Sequence, residues 1–130
     1  MANDIRVVLI RLADRLHNIR TLDAVPISKQ KRIALETLEI YSPLAERLGM
    51  GRVKGDLEDL AFPYIYPDEY TWLQQIAKPH IKYSEENVSD IIKKIRQQLV
   101  KHGIKARVEG RPKRMYSLYR KLLRIFLLIS

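Results

Sequence analysis

With 130 residues, the chain is long enough for one domain with a modest core or for pieces of two. It has no cysteine, which excludes disulfides and thiolate metal sites, and its formal charge of +9 points to anionic partners such as phosphates, nucleotides or nucleic acid. No stretch approaches the ~20 apolar residues of a membrane span, and no basic region followed by an apolar run opens the chain. A cytoplasmic protein that does not engage a membrane is expected.

The breaks at Pro26, Gly49-Met50-Gly51, Pro67, Pro79 and Gly103 separate mostly helical patterns. A first helix is predicted from Asp4 to Leu22, with Ile5, Leu9, Leu12, Leu16 and Ile19 as its core stripe. Val7 and Ile10 make its opening turns apolar all round, as for a buried element. A second helix is predicted from Ser28 to Gly49, with the stripe Ala34, Leu38, Tyr41, Ala45 and Leu48. Pro43 lies inside it and removes the bond to Glu39, so a kink is expected there. Further helices are predicted over Val53 to Tyr64, Asp68 to Lys78, and Ser84 to Gly103.

After Gly103 the period changes. Ile104, Ala106 and Val108 alternate with Lys105, Arg107 and Glu109, which is a half-buried strand pattern. A lone strand is unstable, so its partners are expected in sequence that this chain lacks. A turn at Gly110-Arg111-Pro112 leads to a last helix from Lys113 onward.

Two polar constellations stand out. On the first helix Asp14, Asn18 and Thr21 share one face, since each residue advances about 100°. A carboxylate where a buried face turns polar needs a cation or hydrogen-bond donors. The bland alternative pairs Asp14 with Arg11 or Arg15 on a solvated surface. On the last helix Lys113, Ser117 and Lys121 recur every fourth residue, flanked by Arg114, Arg120 and Arg124. Met115, Tyr119, Leu122 and Phe126 would form the opposite, core face. A purely cationic face repels itself unless an anion neutralises it. The competing readings are a solvated basic face and a general nucleic-acid contact. Between these sites Glu36, Glu39, Glu46, Asp56, Glu58 and Asp59 read as solvated or ion-paired. Trp72, Tyr64, Tyr66 and Tyr70 read as packing residues.

The wording of the sequence adds to its periodicity. The runs DIRVVLIRLADRLHNIRTL from Asp4 to Leu22, KRIALETLEIYSPLAERLG from Lys31 to Gly49, DLEDLAF from Asp56 to Phe62 and GRPKRMYSLYRK from Gly110 to Lys121 closely resemble RelA/SpoT-type alarmone enzymes. In that family an HD-type hydrolase removes pyrophosphate from the 3′ position of guanosine tetra- or pentaphosphate (ppGpp or pppGpp). A synthetase transfers pyrophosphate from ATP to GDP or GTP.

The resemblance implies a mainly α fold. Residues 1–66 would be the closing helices of an all-α HD-type domain, and 67–103 a helical linker. Residues 104–130 would be one strand and one helix of a truncated α/β synthetase domain. It implies that Asp14 is a ligand of Mn2+ and that Asn18 and Thr21 contact the bound nucleoside. On the synthetase side, Arg111 would stack on adenine, while Lys113, Ser117 and Lys121 hold ATP phosphates, with Mg2+ ligands lying beyond Ser130. The family usually has histidine where this chain has Arg114. Neither catalytic set is complete, so a chain inactive alone is expected. The partners implied are guanine nucleotides and ATP. The rival is a small basic helical module binding ribosomal RNA or an intact homologue.

Overall fold

The computed structural model describes residues 4–129, which form two compact units: 4–71 with 114–129, and 72–113. In the first unit, α1 spans Ile5–Arg20 and is capped by Asp4, whose carboxylate accepts the Arg6 N–H at 2.9 Å. A 3-10 turn at Leu22–Ala24 leads to α2, Ile27–Glu36. Then come a π turn at Thr37–Tyr41 and α3 at Ser42–Arg47. The π turn sits immediately before the proline step: Pro43 cannot donate to the Glu39 carbonyl, and the chain widens by one residue there instead of breaking.

Helix α3 ends in a Schellman cap. Gly49 adopts φ 72°, its N–H reaches the Glu46 carbonyl at 3.0 Å, and the Met50 N–H reaches Ala45 at 2.9 Å. Helix α4, Gly51–Ile65, follows and packs against α1, α2, α3 and the π turn. Leu12, Ile19, Leu22, Ala34, Ala45, Leu57, Ala61 and Ile65 form the buried core, with Val8 and Leu16 packed on it. Burying a leucine or isoleucine contributes ~1.5–3 kcal/mol, so this cluster is what holds the unit together.

The opening of α1 departs from expectation. Ile5, Val7, Leu9 and Ile10 are exposed, and the buried side of the helix runs through Val8, Leu12, Leu16 and Ile19.

Helix α5 runs without interruption over Pro67–Lys101, so the two helices expected on either side of Pro79 are one. A proline costs a helix one hydrogen bond and a kink, and long amphipathic stretches on both sides carry it through. In the second unit, α5 ends in another Schellman cap. Gly103 has φ 69°, its N–H meets the Val100 carbonyl at 3.0 Å, and Ile104 N–H meets Leu99 at 2.9 Å.

The expected strand is absent. Residues 104–114 are irregular, and no strand occurs among the described residues, so the one-strand opening of an α/β domain is overturned. The segment instead returns along α5. Arg96 Nη2 donates to the Val108 carbonyl at 3.2 Å, and Gly110 lies against Val88 and Ile92 closely enough that a Cβ would stand 2.9 Å from Val88 Cγ1. Alternation alone cannot make a ladder: with no second extended segment to pair with, the backbone groups turn to other partners. Helix α6, Met115–Ile129, closes the chain and packs on α4 in the first unit.

Candidate functional site

On α1, Asn18 Nδ2 donates to Asp14 Oδ2 at 3.2 Å, one helical turn apart. Asp14 is exposed at the surface. Of the two arginines that the bland alternative offered to Asp14, Arg15 turns to Glu36 at 3.3 Å and stacks its guanidinium 4.2 Å from the centre of the Tyr41 ring. Thr21 closes the helix, with its Oγ1 donating to the His17 carbonyl at 3.2 Å.

Asn18 and Thr21 line a cleft of about 400 Å³, together with Arg15, Arg32, Ile33 and Glu36. The 3-10 turn positions it by bringing α2 back beside the end of α1, with Leu22 fully buried as the pivot. The structure therefore puts Asn18 and Thr21 on the cleft, holds Asp14 to it only through its hydrogen bond to Asn18, and adds Arg15, Arg32 and Glu36 from outside the expected set. Sequence reading missed these three because Arg32 and Glu36 meet α1 only once α2 folds back beside it, although the KRIALE run that carries them was part of the recognised wording.

As a metal site this edge is incomplete. Among the described residues no three His, Cys, Asp or Glu side chains converge, and Asp14 with Asn18 offers one carboxylate and one amide. That donor set does not by itself fit a divalent ion, which takes about six oxygen or nitrogen ligands.

On α6, Ser117 and Lys121 are exposed one turn apart, with Arg120 and Arg124 also at the surface. The helix begins at Met115, so Arg111 and Lys113 precede it, and of the expected row only Ser117 and Lys121 lie on α6. Tyr119 is half-buried, but Leu122 and Phe126 are exposed and do not form the expected core face.

Arg114 does not join the cationic face. Its Nη1 lies 2.7 Å from Asp56 Oδ1 and 3.5 Å from Asp59 Oδ2, and its Nη2 donates to the Arg52 carbonyl at 3.3 Å. Asp59 Oδ1 accepts the Tyr116 N–H at 3.1 Å. Burial raises the Asp59 carboxyl above its ordinary range, against the lowering effects of that N–H and of Arg114. Beneath α6, Phe62 is fully buried among Tyr66, Tyr70, Tyr116 and Tyr119, with ring centres 5.0 to 6.3 Å away. Burial also pushes up the Tyr116 hydroxyl.

Residues 1–51 match the HD domain family. Over 122 residues the chain is 49% identical to a GTP pyrophosphokinase of Myxococcus xanthus, covering 94% of this chain and 16% of that protein. Over 122 residues it is 47% identical to the bifunctional (p)ppGpp synthase/hydrolase SpoT of Escherichia coli strain K12, covering 94% and 17%. A guanosine-3′,5′-bis(diphosphate) 3′-pyrophosphohydrolase of Aquifex aeolicus is 46% identical over 121 residues, covering 92% and 17%. The chain belongs to the RelA/SpoT family. It spans about a sixth of the length of the curated relatives it matches. Within this RelA/SpoT-type chain, the cleft residues Asn18, Thr21, Arg32 and Glu36 all fall inside the HD match, whereas α6 and its contacts to α4 fall beyond it. No helix among the described residues is long and apolar enough to cross a membrane.

Proposed function

We propose that this chain is the junction of a ppGpp synthetase/hydrolase, contributing one edge of each nucleotide site and completing neither alone. The observation that carries the reading is the cleft: Asn18 and Thr21, anticipated as nucleoside contacts, line it beside Arg15 and Arg32, two cations suited to phosphate. Thr21 offers a hydroxyl, Asn18 an amide already oriented by Asp14, and Arg15 a guanidinium braced by Glu36 and Tyr41. These groups bind and orient a guanosine nucleotide. Asp14 would supply one carboxylate oxygen toward the Mn2+ of the hydrolase, which needs further ligands beside it. On the other side, Ser117 and Lys121, exposed one turn apart on α6, would take phosphates of ATP.

Amide chemical-shift titration of the chain with ppGpp tests the hydrolase edge. Shifts confined to Asn18, Thr21 and Arg32, and reduced at least severalfold in Asn18→Ala, are expected. Saturable binding with no perturbation of α1 or α2 counts against the site. Neither manganese-dependent pyrophosphate release nor pyrophosphate transfer from ATP to GDP is expected from the chain alone.

The net charge of +9 supports a second reading, a basic module for RNA or for an intact homologue. Salt-sensitive RNA binding without guanine-nucleotide preference favours it over the first.

A further inference from the structure

The last helix is anchored by the residue that starts it. The Arg114 carbonyl accepts the Leu118 N–H at 2.9 Å, which makes Arg114 the first backbone acceptor of α6. Its side chain turns back onto α4, largely buried, between Asp56 and Asp59. The second of these carboxylates then accepts the N–H of Tyr116, an amide in the first turn with no intrahelical acceptor. Asp59 is thus a cap supplied by another helix, and Arg114 is the cation that lets two carboxylates sit three residues apart beneath it.

Space for the guanidinium comes from Gly55. A Cβ built there would stand 2.7 Å from Arg114 Cζ, 2.5 Å from Cδ and closer still to Nε. The Nε itself is buried without a hydrogen-bond partner, so the pocket fits the two Nη groups and leaves the Nε–H unmet.

We propose that Arg114 is a positioning residue rather than a phosphate ligand: with Gly55, Asp56 and Asp59 it fixes the start of α6 and thereby the placement of Ser117 and Lys121. The proposal rests on reading α6 as a triphosphate-binding helix. Its chemistry is specific to arginine, because a planar fork reaches Asp56 and the Arg52 carbonyl at once, which a lysine ammonium at the end of a flexible stem does not.

Two variants test it from opposite sides in the full 130-residue chain. Arg114→Met removes the charge and keeps the apolar stem. Gly55→Ala keeps every charge but evicts the guanidinium, and alanine favours helix in α4. Amide exchange at Tyr116 and Ser117 is expected to quicken about tenfold in both, with Leu57 and Ala61 on α4 unchanged. In both, the affinity for a non-hydrolysable ATP analogue, followed by chemical shifts at Ser117 and Lys121, is expected to fall by roughly threefold or more. Arg114→Lys should recover part of each loss. Affinity lost in Arg114→Met but retained in Gly55→Ala makes Arg114 a direct ligand and overturns the proposal, as does unchanged exchange in Gly55→Ala. Should Arg114→Met fail to fold, Gly55→Ala and Arg114→Lys decide the matter alone. A parent chain that binds no analogue refutes the triphosphate reading itself, and exchange in Gly55→Ala then judges the anchoring of α6 separately.

Discussion

Ser42 Oγ donates to Glu58 Oε1 at 2.8 Å, and both residues are buried where α3 meets α4. Lys54 stands 3.9 Å from the same carboxylate oxygen and 2.8 Å from Glu46, linking the pair to the surface. A buried polar group is tolerated only with partners, so deleting Glu58 strands the serine hydroxyl as well as leaving a void. Glu58→Ala is expected to cost ~1–3 kcal/mol by urea denaturation, and Ser42→Ala less, because Lys54 still faces the carboxylate. Equal losses from the two changes would show that Lys54 does not share the load.

The cap on α6 gives stability a pH dependence of unusual sign. Burial is the largest influence on Asp59 and raises its carboxyl above the ordinary value of 3.8. The folded state therefore holds this proton more tightly than the unfolded state does. Stability from the group is complete below pH 3.8 and is lost as pH rises through the higher folded value. Asp59→Asn keeps an oxygen for the Tyr116 N–H and removes the titration. Its urea midpoint should decline less than that of the parent as pH rises from 3.8 toward neutrality. Parallel midpoint curves for the two proteins contradict the raised value.

How much of this was legible beforehand depends on the range of each signal. The helix stops were local: Gly49 and Gly103 sit where the stripes ended, and each adopts the left-handed backbone that a Schellman cap requires. Asp14 and Asn18 followed from rotation along one helix, and they are hydrogen-bonded one turn apart, whereas Thr21 stands just past the helix as its C-cap. The rest needed partners that periodicity does not see. Ile104, Ala106 and Val108 alternate as a strand does, but an extended coil alternates identically, and only pairing distinguishes them. Arg114 was placed on the cationic face by counting 100° steps from Lys113, yet α6 begins two residues later, so the count had no helix to act on. Its partner Asp56 lies 58 residues away in the chain. The identity of Gly55 was the one local hint that something large fills the space beside α4.

The capping glycine of α3 makes a controlled comparison with its neighbour Gly51. Gly49 has φ 72°, whereas Gly51 has ordinary backbone angles at the first position of α4, and neither would place a Cβ within 4 Å of another group. Any penalty at Gly49 is therefore conformational and not steric. Gly49→Ala should destabilise by ~1 kcal/mol, as an L-residue in the left-handed region does. Gly51→Ala should be neutral or stabilising by up to ~1 kcal/mol. Thermal melts of both variants settle it, and equal shifts would remove the left-handed argument.

Phe62 ties α6 to the rest of the first unit. It is fully buried, with Tyr66 and Tyr70 before α6 and Tyr116 and Tyr119 on it packed around its ring. Truncating it opens a cavity that four tyrosines line, and their hydroxyl ends restrict how far they can collapse inward. Phe62→Ala is therefore expected to cost ~3–5 kcal/mol, at the upper end for a core substitution. Phe62→Leu keeps most of the volume but loses the ring-edge contacts, which contribute ~0.5–1.5 kcal/mol beyond area, so it should fall between. Because Tyr116 and Tyr119 belong to α6, the loss should show first as exchange along that helix, ahead of α1 and α2. If α6 and α1 lose protection together in Phe62→Leu, the helix is held by the unit as a whole rather than through this ring.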